Sequence, residues 1–176
     1  MSDERPAAGP VVNGRASRKA YGGMRTYFDG VVPHLDAEIL TPEPSSAFGV
    51  RGHAWEQLRL PRLAGGRALL SPANSGPLRH RRQLVVIHDA AVFDVANGFA
   101  RSYATQARFI ARRLARAGIR IATVSEFSRE RLAHHLDRGE DDIVRAPCGV
   151  DPGAAAATTE QPSIVCVGGD LGPRKN

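Results

Sequence analysis

Lysine, cysteine, methionine and tryptophan are scarce in this chain: two Lys, two Cys, two Met and one Trp among 176 residues. Two cysteines, Cys148 and Cys166, cannot build a disulfide scaffold and fit no zinc-ligand spacing. A reduced, cytoplasmic setting is the expectation. No stretch approaches the roughly 18 apolar residues of a membrane-spanning helix. The opening MSDERPAAGP is acidic and polar and shows no secretory pattern. Aromatic residues make up only 6 % and are poorly interleaved with the basic ones. The stacking platform that single-stranded nucleic acid requires is therefore missing, and no nucleic-acid partner is expected. Glycine (18) and proline (12) show no collagen-like period.

What is present is the makings of an ordinary core, with 42 % hydrophobic residues. The net charge is +6, and 22 of the 24 basic residues are arginine. Such a balance suits contact with phosphates or acidic lipid. A coding bias toward arginine, alanine and glycine produces the same excess without function, so both readings stay open.

Residues 1–9 read as a disordered tail. Short apolar runs that suit buried strands occur at residues 10–13 (PVVN), 37–40, 67–71 (RALLS), 83–88 (QLVVIH), 119–124 (IRIATV) and 142–146. Helical spacing links Met24, Tyr27, Phe28 and Val31, where Gly30 and Pro33 predict a short or kinked helix. Residues 53–64 suit an amphipathic helix broken near Pro61. The longest helical pattern spans 99–117, with Gly118 as its stop; Arg108, Arg112, Arg116 and Arg120 form a basic stripe. Ser125 is a candidate cap for the helix after it, and Glu126 suits that helix's first turn. Residues 148–162 read as a linker, and SIVCV at 163–167 opens a further strand. Strands alternating with helices predict an α/β fold, a Rossmann-like doubly wound parallel sheet.

In such sheets ligands bind beyond the carboxyl ends of the strands. That rule selects Gly14 and Arg15, Asn74, His88 and Asp89, and Ser125 and Glu126. The Gly22-Gly23 loop suits a phosphate or is a plain turn. His88 suits a sugar hydroxyl or proton transfer, or caps the sheet; Asp89 suits a turn cap equally. Ser125 and Ser128 lack a nucleophile elbow and read better as caps. His134 and His135 are adjacent on a helix, a poor metal spacing, and no metal site is expected. The arginine stripe suits anionic lipid or a solvated helix face. Arg174 and Lys175, just after a strand, suit a diphosphate.

The order of YGGMR, WEQLRLPRL, LLSPANSGPL, VVIHDAAVFD, ATVSEFSRERLAHHL, a GVDP turn and VGGDLGPRKN resembles glycosyltransferase family 4 across residues 11–176. The resemblance implies half of a two-domain GT-B fold, with residues 10–147 as the acceptor-side domain. It implies transfer of a sugar from a nucleotide-sugar co-substrate to a glycan or glycolipid acceptor in cell-surface polysaccharide synthesis, with no cofactor and no metal. On the matching positions, Gly22 and Gly23 lie near the donor diphosphate and His88 lies beside the transferred sugar. Lys175, with Arg174 adjoining, neutralises the leaving diphosphate, a role suited to charge that grows in the transition state. Asp89 joins His88 as a candidate catalytic residue. Arg15, Asn74, Ser125 and Glu126 form the acceptor-side rim. Residues 163–176 read as the truncated start of a donor-binding domain whose downstream glutamates are absent. The chain alone is expected to be an incomplete and inactive half in the cytoplasm, with the inner face of the plasma membrane as a candidate place of peripheral contact. The alternative is a non-catalytic Rossmann-like module that binds an anionic membrane surface or a protein partner.

Overall fold

The computed structural model describes residues 9–18, 22–95 and 97–149. Residues 1–8 and most of the expected linker and donor-side start, from residue 150 onward, lie outside the described residues. Six strands form one parallel sheet: β1 (Val11–Asn13), β2 (Glu38–Leu40), β3 (Leu69–Ser71), β4 (Gln83–Val86), β5 (Arg120–Thr123) and β6 (Ile143–Arg145). Their order across the sheet is β2-β1-β3-β4-β5-β6. The register aligns Val12 with Leu70, Leu70 with Leu84, Val85 with Ile121, and Ala122 with Val144.

Both faces of the sheet carry apolar side chains, as a parallel sheet between helical layers requires. On one face Val85, Ile121 and Ile143 pack against Ile110 and Leu114 of α5 (Arg101–Arg116) and Leu132 and Leu136 of α6 (Glu126–Leu136). On the same face Val11 and Leu69 meet Trp55, Leu60 and Ala64. The opposite face packs Val12 on Phe28, and Val86 and Ala122 on Tyr27, both from α1 (Gly23–Val31). The result is a Rossmann-like α/β fold. Among the described residues no helix is long and apolar enough to cross a membrane.

Two local outcomes differ from the sequence expectation. The helix predicted to break at Pro61 runs on through it: α2 (Gly49–Ala54), a π-helical stretch (Trp55–Arg59) and α3 (Leu60–Ala64) follow without interruption. A proline inside a regular helix removes a hydrogen bond and clashes with the preceding turn. The widened π turn just ahead of Pro61 gives that ring room, so the helix bulges where it was expected to break. Arg120, expected to continue the basic stripe of α5, lies on β5 instead. A single helical turn, α4 (Ala91–Asp94), follows Asp89.

Gly52 lets this helix seat. A Cβ there would stand 2.3 Å from the Ala47 carbonyl oxygen, and a backbone atom cannot step aside. Gly→Ala inside a helix ordinarily stabilises by about 1 kcal/mol. Gly52→Ala is expected to destabilise instead, by about 2 kcal/mol of overpacking. Urea unfolding of the variant checks the sign.

Candidate functional site

The chain reverses direction across the sheet between β1 and β3: β2 lies outward on one side, β4 to β6 on the other. Such a switch point leaves a crevice beyond the carboxyl ends of the strands. β1 ends there at Asn13 and turns through the 3-10 segment Gly14–Arg18. Gly14 is required at this bend, because a Cβ would sit 2.5 Å from Thr41 Cγ2 and 3.0 Å from the Leu40 carbonyl oxygen.

The most buried charged group of the rim is Glu56, on the π-helical stretch, with 1 % of its surface exposed. Asn13 Nδ2 donates to its Oε1 at 2.8 Å. Ser75 Oγ lies 3.0 and 2.8 Å from the two carboxylate oxygens. Arg15 Nη1 donates to Oε2 at 3.1 Å and also reaches His53 Nδ1 at 3.3 Å. Burial by itself raises a carboxyl pKa. Here that effect is outweighed by the neighbouring His53 ring, the Arg15 charge and hydrogen bonds from Asn13 and Ser75, and the Glu56 pKa is held below its ordinary value. One carboxylate thus ties the ends of β1 and the β3 loop to the helix. Sequence reasoning missed it. The signal was available: Gly52, Glu56, Leu60 and Ala64 recur at four-residue steps on the buried side of the helix. A carboxylate in that apolar stripe demands partners.

Beside this network stands His88, just past β4. Its backbone N–H donates to Asn74 Oδ1 at 2.7 Å, and its ring Nε2 donates to the Pro72 carbonyl at 2.8 Å. Asn74 adopts φ 61°, a left-handed conformation that asparagine tolerates better than most residues. With Nε2 as donor, the neutral ring keeps its proton there and Nδ1 is left as an acceptor. The Tyr27 ring meets the imidazole edge-on, with centroids 4.9 Å apart.

His88 and Asn74 line a cavity of about 610 Å³, with Gly23, Asp89, Ser128 and the aromatic side chains of Phe99, Tyr103 and Phe127 in its wall. Asp89 Oδ1 accepts from the Ala91 N–H at 2.9 Å and so caps the α4 turn. Asp94, also in the wall, accepts from Arg131 and His135. The Arg131 hydrogen bond leads in holding the Asp94 pKa down at about 2, against the opposing effect of burial. A second cavity of similar size, about 650 Å³, lies at the amino ends of the strands, away from this rim.

The remaining predicted residues divide. Gly22 caps α1 at φ 109°, a conformation open to glycine, and its carbonyl accepts from Arg25 and Thr26. Arg15 and Asn74 share a smaller cavity with His53 and Ser75. Ser125 caps α6, its Oγ accepting from the Ser128 N–H at 3.1 Å. Glu126 pairs with Arg129 and Arg145 rather than lining either rim cavity. Arg174 and Lys175 lie outside the described residues. Among the described residues no group of three or more His, Cys, Asp or Glu side chains is placed to hold a metal ion. No family model, curated protein or solved structure matches the chain.

Glu56→Gln is expected to destabilise the fold by about 2 kcal/mol. That is less than the roughly 3–5 kcal/mol of a fully buried pair, because Arg15 keeps some solvent. The pH dependence follows from the lowered pKa. The carboxylate's contribution is fully present above the unfolded-state pKa of roughly 4.3 and is lost as pH falls through the folded value. Urea unfolding between pH 7 and 3 should show the wild type losing stability more steeply than Glu56→Gln.

Proposed function

We propose that this chain is the acceptor-binding, Rossmann-like domain of a glycosyltransferase of the family 4 type. It acts on a glycan or glycolipid acceptor with a nucleotide-sugar as co-substrate. The observation that carries the reading is the cavity around His88. It combines an imidazole acceptor, an amide and carboxylates with three aromatic side chains. A sugar has the same two-sided chemistry. Its hydroxyls need hydrogen-bond partners fixed in position, and its C–H faces stack on aromatic rings. Phe127, 68 % exposed, and Tyr103, 42 % exposed, offer such faces.

In this reading His88 Nδ1 accepts from a sugar hydroxyl. The tautomer is held by the Pro72 carbonyl and the ring is held by Tyr27. Transfer forms a bond between the anomeric carbon and an acceptor oxygen and breaks the bond to the diphosphate. The acceptor's proton leaves with the departing phosphate or through a base. Gly22 and Gly23 at the start of α1 would face the diphosphate, and Arg174 and Lys175 would neutralise its growing charge. Asp89 would act through the α4 turn that it caps. Surface-polysaccharide assembly at the inner face of the plasma membrane is the setting that this acceptor class implies.

A second reading is favoured by a different observation. Phe109 is 57 % exposed on α5 and shares a surface hollow with Arg108, Arg112, Arg113 and Arg116. An exposed aromatic side chain among cations suits an anionic membrane surface, and that face would serve a non-catalytic module as well as an enzyme.

Saturation-transfer NMR of the chain with methyl and octyl glycosides separates the two. The glycosyltransferase reading predicts saturable glycoside binding that weakens at least tenfold in His88→Ala and about fivefold in Phe127→Ala, roughly 1.4 and 1 kcal/mol. Glycoside binding that is absent, or indifferent to both changes, contradicts it. Flotation on phosphatidylglycerol vesicles that Phe109→Ser abolishes, without glycoside binding, supports the second reading.

A further inference from the structure

The Glu56 network leaves something over. Among the described residues the Arg15 side chain spends only Nη1, donating to Glu56 and His53. Its side-on edge, Nε–H with Nη2–H, has no partner among the described residues. That edge is the one that grips two oxygens of an oxyanion at once. His53 accepts from Arg15 through Nδ1, so its proton sits on Nε2, a further donor with no partner among the described residues. Arg15 is 20 % exposed and His53 22 %. The guanidinium is thus held in place by a buried carboxylate while one edge stays open.

Both side chains line a cavity of about 70 Å³. It is far smaller than the neighbouring cavity of about 610 Å³. It suits one oxyanion group, whereas the larger cavity suits a sugar ring. Met24, Asn74 and Tyr103 line both this cavity and the larger one around His88. A molecule with its sugar against His88 would carry a substituent into the smaller space.

We propose that Arg15 and His53 form an oxyanion subsite that takes a phosphate group carried by the acceptor. The donor set favours phosphate over carboxylate. A guanidinium edge satisfies two oxygens, and the imidazole N–H adds a second donor to the same cavity wall, which suits the higher charge of phosphate. The Glu56 carboxylate does not repel the ligand at full strength, because Asn13, Ser75 and Arg15 already occupy both of its oxygens. Glu56 is a positioning residue that acts through Arg15. The subsite rests on the glycosyltransferase reading only for the identity of the molecule that carries the phosphate.

The Arg15 Nε–Hε NMR signal reports directly on the edge. Titration of the full chain with inorganic phosphate, at constant chloride ionic strength, should move it saturably with a dissociation constant in the low millimolar range. Acetate should bind at least tenfold more weakly. Arg15→Gln should weaken phosphate binding at least tenfold and His53→Gln about fivefold, whereas Arg59→Gln should leave it unchanged. Glucose 6-phosphate should bind at least tenfold more tightly than either inorganic phosphate or methyl glucoside, because it fills both cavities. A wild-type Arg15 signal that does not respond to phosphate overturns the subsite, and this reading needs no variant to fold. Phosphate binding that survives Arg15→Gln overturns it too, and acetate binding as tight as phosphate overturns the phosphate preference. Phosphate binding at Arg15 without any glycoside binding keeps the subsite and removes the sugar-transfer reading. Glycoside binding at His88 with a silent Arg15 does the reverse.

Discussion

A buried, ionised carboxylate without enough partners cannot persist in a protein interior, and Glu56 shows how this fold meets that demand. Its oxygens sit beneath the crevice where the sheet reverses direction. Four side chains from three segments converge on it: Asn13 and Arg15 from the end of β1, His53 from the same helix, and Ser75 from the loop after β3. Asn13, Arg15 and Ser75 donate to it and lower the cost of burying the charge, and each is positioned by doing so. The switch-point crevice, which in a generic parallel sheet is only a gap between diverging loops, is thereby given fixed walls.

The helix that carries Glu56 is shaped for the task. Gly52 passes close to the Ala47 carbonyl, the π turn widens the helix around Trp55–Arg59, and Pro61 follows the bulge rather than breaking the chain. Gln57, the next residue along, secures the loop between β3 and β4 by donating to the Gly76 carbonyl and accepting from the Leu78 N–H. That loop has no helix of its own. It also supplies Asn74, whose side chain holds the backbone of His88. The order of Arg15, Asn74 and His88 around the rim therefore descends from one helix and the carboxylate that it buries.

Much of this architecture was legible in the sequence, for physical reasons. Strands buried on both faces read as continuous apolar runs, so QLVVIH and IRIATV announced β4 and β5. The rule that ligands gather at strand ends then selected Arg15, Asn74 and His88 with no further knowledge. Ser125 could be read as a cap because serine before a helical pattern has a local partner three residues on. What escaped was whatever depends on distant segments. Pro61 was expected to break a helix because the widened turn ahead of it is set by packing as well as by proline. Glu56 was not singled out, since its partners at positions 13, 15 and 75 are remote in sequence. Arg120 continued the four-residue spacing of α5 by coincidence, beyond the Gly118 turn. Glu126 was placed on the rim by its position after β5, whereas its side chain turns aside to Arg129 and Arg145.

The whole network depends on Glu56 being ionised. A neutral acid would need to donate a proton, and Asn13 Nδ2 and Arg15 Nη1 both come to it as donors. The direct measurement is the side-chain carboxyl ¹³C shift of Glu56, followed from pH 7 to pH 3 in the full chain. Glu56 should keep the ionised shift throughout the neutral and mildly acidic range and titrate only below the ordinary glutamate value of roughly 4.3. A protonated carboxyl at neutral pH, or a midpoint above that value, would contradict it.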